Sequence, residues 1–192
     1  MKKLMMAAAL AVASLSANAQ VYLGGGVGFD SYHNGDADKS YTAFKIMPEI
    51  GYKLDDQISF GISFGYSSAE HNSARLNLSK GAKKTTTLSI NPYLRYTFAR
   101  WNNVSFFGEV GFGYENETES HTTGSDTKVN SWYLGVQPGI AVDLTKNFTF
   151  LTKIGWLGYE SSKPDYDNAK ADSNFGLNVS SENIKFSLLY NF

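Results

Sequence analysis

The stretch 184-IKFSLLYNF-192 decides the fold of this chain. Its even-numbered positions are all apolar or aromatic, whereas the odd-numbered positions, apart from Leu189, are polar. Alternation with a period of two predicts a β-strand that has one apolar face. A strand that crosses a membrane needs roughly 9–11 residues, which is about the length of this stretch. We therefore predict a strand whose apolar face is covered by lipid. An edge strand of a soluble sandwich is the weaker alternative.

The other end of the chain has the pattern of an export signal. Lys2 and Lys3 precede an apolar run over residues 4–15, and Ala17-Asn18-Ala19 has the small-x-small form of a cleavage site. The apolar run is too short for a transmembrane helix, which takes about 20 residues. We predict that residues 1–19 are a cleaved signal peptide and that residues 20–192 form the mature domain.

The composition excludes some classes of protein. Removing Lys2 and Lys3 reduces the 17 basic residues to 15, against 18 acidic ones, so a nucleic-acid partner is not expected. There is no cysteine, which rules out disulfides and thiolate metal sites. Gly is frequent at 18 residues, and Phe, Tyr and Trp number 13, 12 and 3. This mixture is typical of membrane barrels, in which lipid-facing and lumen-facing side chains alternate.

A hairpin unit is repeated three times, over residues 47–66, 91–114 and 137–159. Each copy has a proline at its second position, a short polar turn and a Gly-Tyr pair near its far end. The copies recur every 44–48 residues, and each one is typical of two strands joined by a tight turn. The turns are predicted at residues 55–57, 99–103 and 145–147.

Long polar segments separate these units, and we predict them as loops over residues 31–40, 68–84, 116–128 and 160–174. With a first strand over residues 21–29 and the final one, the chain has eight strands. Short turns at one end and long loops at the other predict an all-β fold, an eight-stranded antiparallel up-and-down transmembrane β-barrel. The short turns then belong to the periplasmic side, and the long loops belong outside the cell.

Two features interrupt the strand pattern. Pro48, Pro92 and Pro138 fall inside strands that have two neighbours, where each removes a ladder hydrogen bond, so repeated bulges are expected there. In the last strand the apolar residues change from odd to even positions, which predicts a bulge or kink at residues 180–183 or, alternatively, a separate short strand.

The alternation also divides side chains between the outside and the lumen. Outward positions are predicted to be almost all apolar, with Trp156 among them. The lumen of an eight-stranded barrel is just wide enough for side chains to fill it, so charges of both signs are expected to pair there. Arg95 and Glu109 lie on adjacent strands at similar heights. A gated narrow ion path is the functional alternative to a filled lumen. The predicted lumen polar network consists of Lys45, Glu49, Lys53, Arg95, Glu109, Lys153 and Lys185.

No catalytic, cofactor or metal site is predicted. His33, His71 and His121 all fall in the predicted loops, where solvated histidines are the ordinary case. Their spacing does not require a metal, although imidazole suits zinc or copper. The segment His71-Asn72-Ser73 is similar to the His-x-Ser motif of lipid A deacylases, but those enzymes carry it on a lipid-facing strand.

The alternating strands, the repeated turn units and the terminal Tyr190 and Phe192 together resemble the small outer-membrane β-barrel family, the OmpA/OmpX-type eight-stranded barrels without a periplasmic domain. The resemblance covers residues 20–192. It implies location in the bacterial outer membrane, contact with outer-membrane lipid, and recognition by the barrel-assembly machinery. The residues of the implied assembly signal are Phe186, Leu188, Tyr190 and Phe192.

The resemblance does not specify an activity, since one fold supports many functions. We expect an integral outer-membrane protein without catalysis, which has a structural role or contacts an extracellular ligand or surface through its four loops. A narrow channel for small solutes or ions is the first alternative. The second is a lipid-modifying enzyme, which would need a histidine beside a nucleophile at the lipid-exposed rim.

Overall fold

The computed structural model of the protein describes residues 21–34, 39–70, 82–121, 125–179 and 184–192. Nearly all of these residues lie in strands, and no helix among them is long and apolar enough to cross a membrane. The strands are β1 (Val21–Asn34), β2 (Lys39–Lys53), β3 (Ile58–Glu70), β4 (Ala82–Trp101), β5 (Val104–His121), β6 (Thr127–Asp143), β7 (Phe148–Ile154), β8 (Trp156–Pro164), β9 (Asp172–Asn178) and β10 (Ile184–Asn191).

The pairing confirms the predicted fold. Strands β1 to β6 pair antiparallel, each with the next, and β6 then pairs with both β7 and β8. Strand β10 lies between β7 and β1 and closes the barrel, while β9 pairs with β8. Because β7 with β8 forms the seventh strand and β9 with β10 forms the eighth, the ten segments make one closed eight-stranded antiparallel barrel.

At the end of the barrel that carries the short turns, side chains bond backbone N–H groups that have no partner in a ladder. Asp55 Oδ1 accepts hydrogen bonds from the backbone N–H groups of Gln57 and Ile58, both at 2.7 Å. The predicted turn over residues 99–103 is too long, because β4 continues to Trp101 and a register shift in its ladder with β5 takes up the extra length. Asn102, at φ 53°, is the corner of the tighter turn.

At the other end, the predicted loops were too long. Strands continue through residues 31–34, 39–40, 68–70, 82–84, 116–121, 127–128, 160–164 and 172–174. The ladder between β5 and β6, for example, remains in register as far as Glu119 and Thr127. Polar side chains are compatible with a ladder in water, so loss of the apolar alternation marks the membrane boundary and does not mark the strand end.

The three in-strand prolines do not produce the expected bulges at their own positions. The register between β2 and β3 is the same on both sides of Pro48, and that between β4 and β5 is the same on both sides of Pro92. Instead, each proline lies at a two-residue interruption of the ladder to the following strand, which is where its missing N–H is tolerated.

Pro138 differs because the neighbouring seventh strand, made of β7 and β8, carries a bulge. The β6 ladder shifts by one residue between β7 and β8, at Gly155, whose φ is 70°. A positive φ of this size favours glycine. The bulge reverses the alternation, so Trp156 points into the lumen and Leu157, 42% exposed, points outward. The outward assignment of Trp156 was therefore wrong.

The last strand is interrupted at the same level. Ile184 pairs with Ile154, and Asn178 pairs with Trp156, so β9 and β10 end on either side of the level of Gly155. The separate short strand that the sequence left open exists as β9. The bulge or kink predicted at residues 180–183 falls outside the described residues.

The outer surface is an apolar belt, and the interior contains a small cluster of buried aromatic and aliphatic side chains. Leu94, Phe60 and Val110 are 47–48% exposed on the outer face. Inside, Tyr22, Phe107, Leu151 and Leu189 form a cluster of buried side chains near the turn end. An apolar belt of this extent is stable against hydrocarbon and would promote aggregation in water.

Candidate functional site

Four charged side chains from four strands meet in the middle of the lumen, and we call them the lumen cluster: Glu49 on β2, Arg95 on β4, Glu109 on β5 and Lys153 on β7. Arg95 and Glu109 are direct partners in the β4–β5 ladder. All four occupy inward positions of the alternation, so the barrel brings together at one height residues that are up to 104 positions apart in the chain.

Glu109 is the centre of the lumen cluster. Its Oε2 accepts hydrogen bonds from Arg95 Nη2 at 2.7 Å and from Arg95 Nε at 3.0 Å. Its Oε1 accepts from Lys153 Nζ at 2.6 Å. Glu49 Oε2 lies 3.4 Å from Arg95 Nη2 and accepts a hydrogen bond from the Tyr93 hydroxyl at 2.6 Å. Two cations and two carboxylates therefore balance in charge.

Aromatic rings surround the guanidinium group. The Arg95 Cζ atom lies 4.9 Å from the ring centroids of both Tyr93 and Phe107, and 5.8 Å from that of Tyr22. Lys153 Nζ lies 5.0 Å from the Tyr93 centroid. The Tyr22 and Tyr93 hydroxyls are 3.0 Å apart. These contacts supply cation–π attraction and exclude water from the ion pairs.

Burial makes the pairing obligatory. Glu49, Arg95 and Glu109 are only 3–6% exposed. An isolated charge in such surroundings carries a large desolvation cost, which only a complete set of partners offsets. The lumen cluster is therefore expected to remain closed unless another set of partners replaces the present one.

The lumen cluster lies between cavities. A cavity of about 200 Å³ on the turn side is bordered by Arg95 and by residues of the turns, among them Asp55. On the opposite side, a small cavity of about 40 Å³ borders Glu109 and Lys153, and a larger one of about 450 Å³ is bordered by Glu160 and Asn174. The polar and aromatic layer divides the lumen into two compartments.

Three lysines of the predicted network lie elsewhere. Lys53 borders the turn-side cavity, and Lys185 borders both cavities on the opposite side. Lys45 pairs with Gly28 in the β1–β2 ladder and lies within electrostatic range of Glu115. The sequence pattern assigns a side chain to the lumen, but it gives relative height only for neighbouring strands that share a turn, as for Arg95 and Glu109. These lysines therefore could not be separated from the four residues of the lumen cluster.

The predicted lumen network contained only charged residues and did not include the aromatic and aliphatic side chains that lie in the lumen. Tyr22, Tyr93 and Phe107 occupy inward positions and supply most of the buried surface around Arg95. A usable signal was present, because each of these rings is out of phase with the apolar face of its own strand. Composition alone cannot distinguish such a ring from a lipid-facing one.

Comparison with known proteins identifies the family. The model of the outer membrane protein beta-barrel domain matches residues 4–192. The chain belongs to this family. Membership in the outer membrane protein beta-barrel family indicates location in the bacterial outer membrane. No curated protein sequence matches the chain.

Solved structures are similar to this member of the family in fold. Neisserial surface protein A is 16% identical, with a TM-score of 0.52, over 91% of this chain and 97% of that one. The N-terminal β-barrel domain of Pseudomonas aeruginosa OprF is 13% identical, with a TM-score of 0.49, over 90% and 97%. A major outer membrane protein from Thermus thermophilus is 11% identical, with a TM-score of 0.43, over 90% and 99%.

The residues of the implied assembly signal form the outer face of β10. Phe186, Leu188 and Tyr190 are 39–58% exposed. Tyr190 makes edge contacts with Phe148 on β7 and with Phe192, at centroid distances of 5.2 and 5.0 Å. The backbone N–H of Phe192 donates to the carbonyl of Val21 at 3.1 Å. The last residue thus continues the contact that closes the barrel.

Two of the three histidines lie in strands of the described part of the chain. His33 lies in β1, and His121 is the last residue of β5, so both are in strands where loops were predicted. His121 Nε2 lies 3.3 Å from Thr127 Oγ1. His71 falls outside the described residues. Within the described ranges, no group of three His, Cys, Asp or Glu side chains is placed to hold a metal ion.

Proposed function

We propose that this member of the family is a non-conducting barrel without catalytic activity, which strengthens the outer membrane and contacts an external surface or ligand. The lumen cluster supports this role most strongly. Arg95, Glu109 and Glu49 lie across the lumen at one height and are 3–6% exposed, so an ion would have to displace paired charges in order to pass.

The ring-lined surroundings of the lumen cluster strengthen the same argument. Charge pairs in a low-dielectric interior interact more strongly than they do in water, and removing one partner from a buried pair costs about 3–5 kcal/mol. Tyr22, Phe107 and Leu151 are each 1% exposed and form an apolar layer on the turn side of the pairs. Passage would require both layers to open.

The strands that extend beyond the apolar belt support the proposed external contacts. The β5–β6 hairpin continues as a paired ladder to Glu119 and Thr127, and it carries polar side chains on both faces. A paired ladder is a more rigid platform for recognition than a loop. We propose that the partner binds at the open end of the barrel, in the region that includes residues 31–40, 68–84, 116–128 and 160–174.

Two steps of biogenesis belong to the same proposal. Residues 1–19 direct export and are cleaved, and the barrel-assembly machinery recognises the β10 face that ends at Phe192. The placement of Phe186, Leu188 and Tyr190 on one lipid-facing surface supports this recognition.

A narrow ion channel is the second candidate, and one observation favours it. Glu109 bonds two different cations, Arg95 and Lys153, through separate oxygens. If Arg95 moved entirely to Glu49, Glu109 would remain paired by Lys153, so partner exchange would leave no isolated charge. Cavities on both sides of the lumen cluster would then be joined.

Planar-bilayer recording distinguishes the two candidates. We expect the wild-type protein to give no stepwise conductance at neutral pH and moderate voltage. Arg95→Ala is expected to create small steps, because it removes the group that bridges the two carboxylates. Arg100→Ala is the matched control, since Arg100 lies on the same strand near the turn end and bonds Ser105 and the carbonyl of Asp56.

Reproducible steps from the wild type that Arg95→Ala enlarges would favour the channel and overturn the closed lumen. Each sample must first show the band shift between unboiled and boiled protein on a denaturing gel, which establishes folding. Lipid A extracted from cells with and without the protein is expected to have the same mass spectrum, and a protein-dependent change in mass would contradict the absence of catalysis.

A further inference from the structure

Four glycines form a continuous row across the inner wall of the barrel, and we call them the glycine row. They are consecutive ladder partners on β5, β6, β8 and β9: Gly111 pairs with Gly135, Gly135 with Gly158, and Gly158 with Gly176. Each lies between two exposed apolar residues of the outer face, so all four face the lumen. Glycine weakens the interior of a strand and often marks a place where another group approaches the backbone closely.

The indole of Trp156 occupies the middle of the glycine row. A Cβ on Gly135 would overlap the indole Nε1 atom, and one on Gly158 would lie 2.8 Å from indole Cζ2. The indole therefore lies along the wall, in space that a larger residue at either position would fill. The two ends of the row are open, since a Cβ on Gly111 would meet nothing closer than 3.8 Å and one on Gly176 nothing closer than 3.5 Å. Packing of the indole thus accounts for only two of the four glycines.

The next row toward the extracellular end places polar groups beside the indole. Tyr133 pairs with Glu160, and Glu160 pairs with Asn174, so a phenol ring, a carboxylate and an amide stand side by side. They lie two residues, or roughly 7 Å, along the strands from the glycine row. The side chains of Glu160 and Asn174 make no hydrogen bond to another described residue. Both can therefore bond a ligand.

Gln137 borders the indole on the turn side. Its Nε2 donates to the carbonyl of Gly155 at 2.9 Å, which leaves Oε1 as an acceptor. Indole Nε1 has no acceptor among the described residues and remains a donor. The cavity of about 450 Å³ is within the range of about 300–1,000 Å³ that is usual for small-molecule sites. Its lining includes all the groups that this argument uses: Tyr133, Gln137, Trp156, Glu160, Asn174 and Gly176.

The wall beyond the cavity carries small side chains toward the outside. Ser131 and Ser162 are ladder partners in the next row, and Ser131 Oγ donates to Ser162 Oγ at 2.9 Å. On the turn side, the lumen cluster separates the cavity from the periplasmic end. A ligand of this cavity therefore comes from outside the cell.

The lining favours a neutral ligand that both donates and accepts hydrogen bonds. Its charged groups are the carboxylates of Glu115 and Glu160 and the ammonium of Lys185, so charges of both signs are present and neither dominates. The face of an indole carries negative potential, which attracts C–H groups, while amides and carboxylates bond hydroxyls. A pyranose ring combines a face of C–H groups with a rim of hydroxyls. This combination matches the lining.

We propose that the cavity binds a neutral hexopyranose, as the end of an extracellular glycan or as a free sugar. The C–H face of the pyranose lies on the indole of Trp156, above the glycine row. Its hydroxyls bond Gln137 on one side and Glu160 and Asn174 on the other. This inference rests on the proposed external contact and gives the chemical class of its ligand.

The test uses the fluorescence of Trp156. Trp101→Phe and Trp132→Phe leave Trp156 as the single tryptophan of the chain. This parent is refolded in an amine-oxide detergent, which carries no sugar, and is titrated separately with glucose, galactose, mannose and N-acetylglucosamine. We expect a saturable change in emission with at least one of the four.

Gly176→Phe fills the open end of the glycine row on β9 and is expected to raise the apparent Kd at least fivefold. Gly108→Phe is its matched control, because Gly108 lies on the outer face of β5 and a Cβ there meets nothing within 4 Å. The control is expected to stay within twofold of the parent. Every variant must first show the band shift of a folded barrel.

A resin that carries the same sugar through its C1 oxygen distinguishes the two sources. Retention of the unmodified chain indicates the end of a glycan, and saturable titration without retention indicates a free sugar; both support a hexopyranose site. If the chain is retained, Trp156→Leu is expected to abolish retention. Trp132→Leu is the matched control, since Trp132 is 41% exposed on the outer face and contacts Phe112 and Tyr159 there.

Three outcomes would overturn the proposal. The first is the absence of a saturable change with all four sugars. The second is an equal saturable change with choline or adenosine, which indicates a site for cations or flat rings. The third is an unchanged Kd in Gly176→Phe. Conductance and lipid A mass do not depend on the sugar, so these outcomes leave the closed, non-catalytic barrel unaffected. Conductance steps would overturn that barrel without changing the titration.

Discussion

At the scale of single residues, the lumen cluster shows how a barrel too small for a core of ordinary size stabilises its interior. Arg95 is held by Glu109 and Glu49 and packed between the rings of Tyr93 and Phe107. Its guanidinium can bond both carboxylates at once, which a lysine ammonium cannot do with the same planar geometry. The arrangement of the lumen side chains is therefore determined by directional hydrogen bonds as much as by the volume that they fill.

Arg95→Met is expected to destabilise the barrel by about 3–5 kcal/mol, because it leaves Glu49 and Glu109 buried with only Lys153 as counter-charge. Urea titration of the protein in vesicles, followed by tryptophan fluorescence, measures the change. Adding Glu49→Gln to Arg95→Met should recover part of the loss, because Glu109 keeps Lys153 as its partner and Glu49 is the carboxylate left without a counter-charge. Additive losses in the double variant would show that charge pairing is not the cause.

Substitution of Gly51 tests how closely the Tyr22 ring packs against the barrel wall. Its added Cβ would overlap the Tyr22 ring, whereas a Cβ at Gly108 meets nothing within 4 Å. Gly51→Ala is expected to cost about 1–3 kcal/mol through overpacking, and Gly108→Ala to change stability little. The same urea titration compares the two. Equal effects would indicate that strand propensity dominates over contact with Tyr22.

At the scale of elements, β10 has two roles, as the strand that closes the barrel and as the carrier of the implied assembly signal. Phe192→Asp is expected to reduce membrane insertion severalfold, because it places a charge where Tyr190 packs and where Val21 receives the last hydrogen bond. Phe98→Asp, at an exposed aromatic near the turn end of β4, is the control for a charge at this depth. Insertion is measured by the folded band in outer-membrane fractions. Equal defects in the two variants would remove the special role of the last residue.

Elements also show what the sequence could predict and what it could not. The alternation of side chains located every membrane-crossing strand and assigned Arg95 and Glu109 to the lumen, because period two is imposed by the backbone. It could not locate the ends of the strands outside the membrane, since polar residues are as compatible with a paired strand in water as they are with a loop. The bulge at Gly155 was also missed, so the face of Trp156 was assigned in the wrong phase.

At the scale of the whole molecule, the barrel is uneven in strength around its circumference. Strands β4 and β5 pair over almost their full lengths, whereas the ladders between described residues pair β1 on both edges only from Tyr22 to Gly25. The bulge at Gly155 and the interruption between β9 and β10 lie at the same level of neighbouring strands. The β3–β4 and β5–β6 ladders on the opposite side are continuous.

Hydrogen exchange tests this asymmetry. Local opening is easiest where backbone groups lack neighbours, so amides of β9 and of β1 beyond Gly25 are expected to exchange at least tenfold faster than those of β4 and β5 at the same distance from the turn end. Exchange in vesicles, resolved by peptide mass spectrometry, gives the comparison. Uniform protection around the barrel would contradict the asymmetry, because it would mean that the first and last strands are held as firmly as β4 and β5.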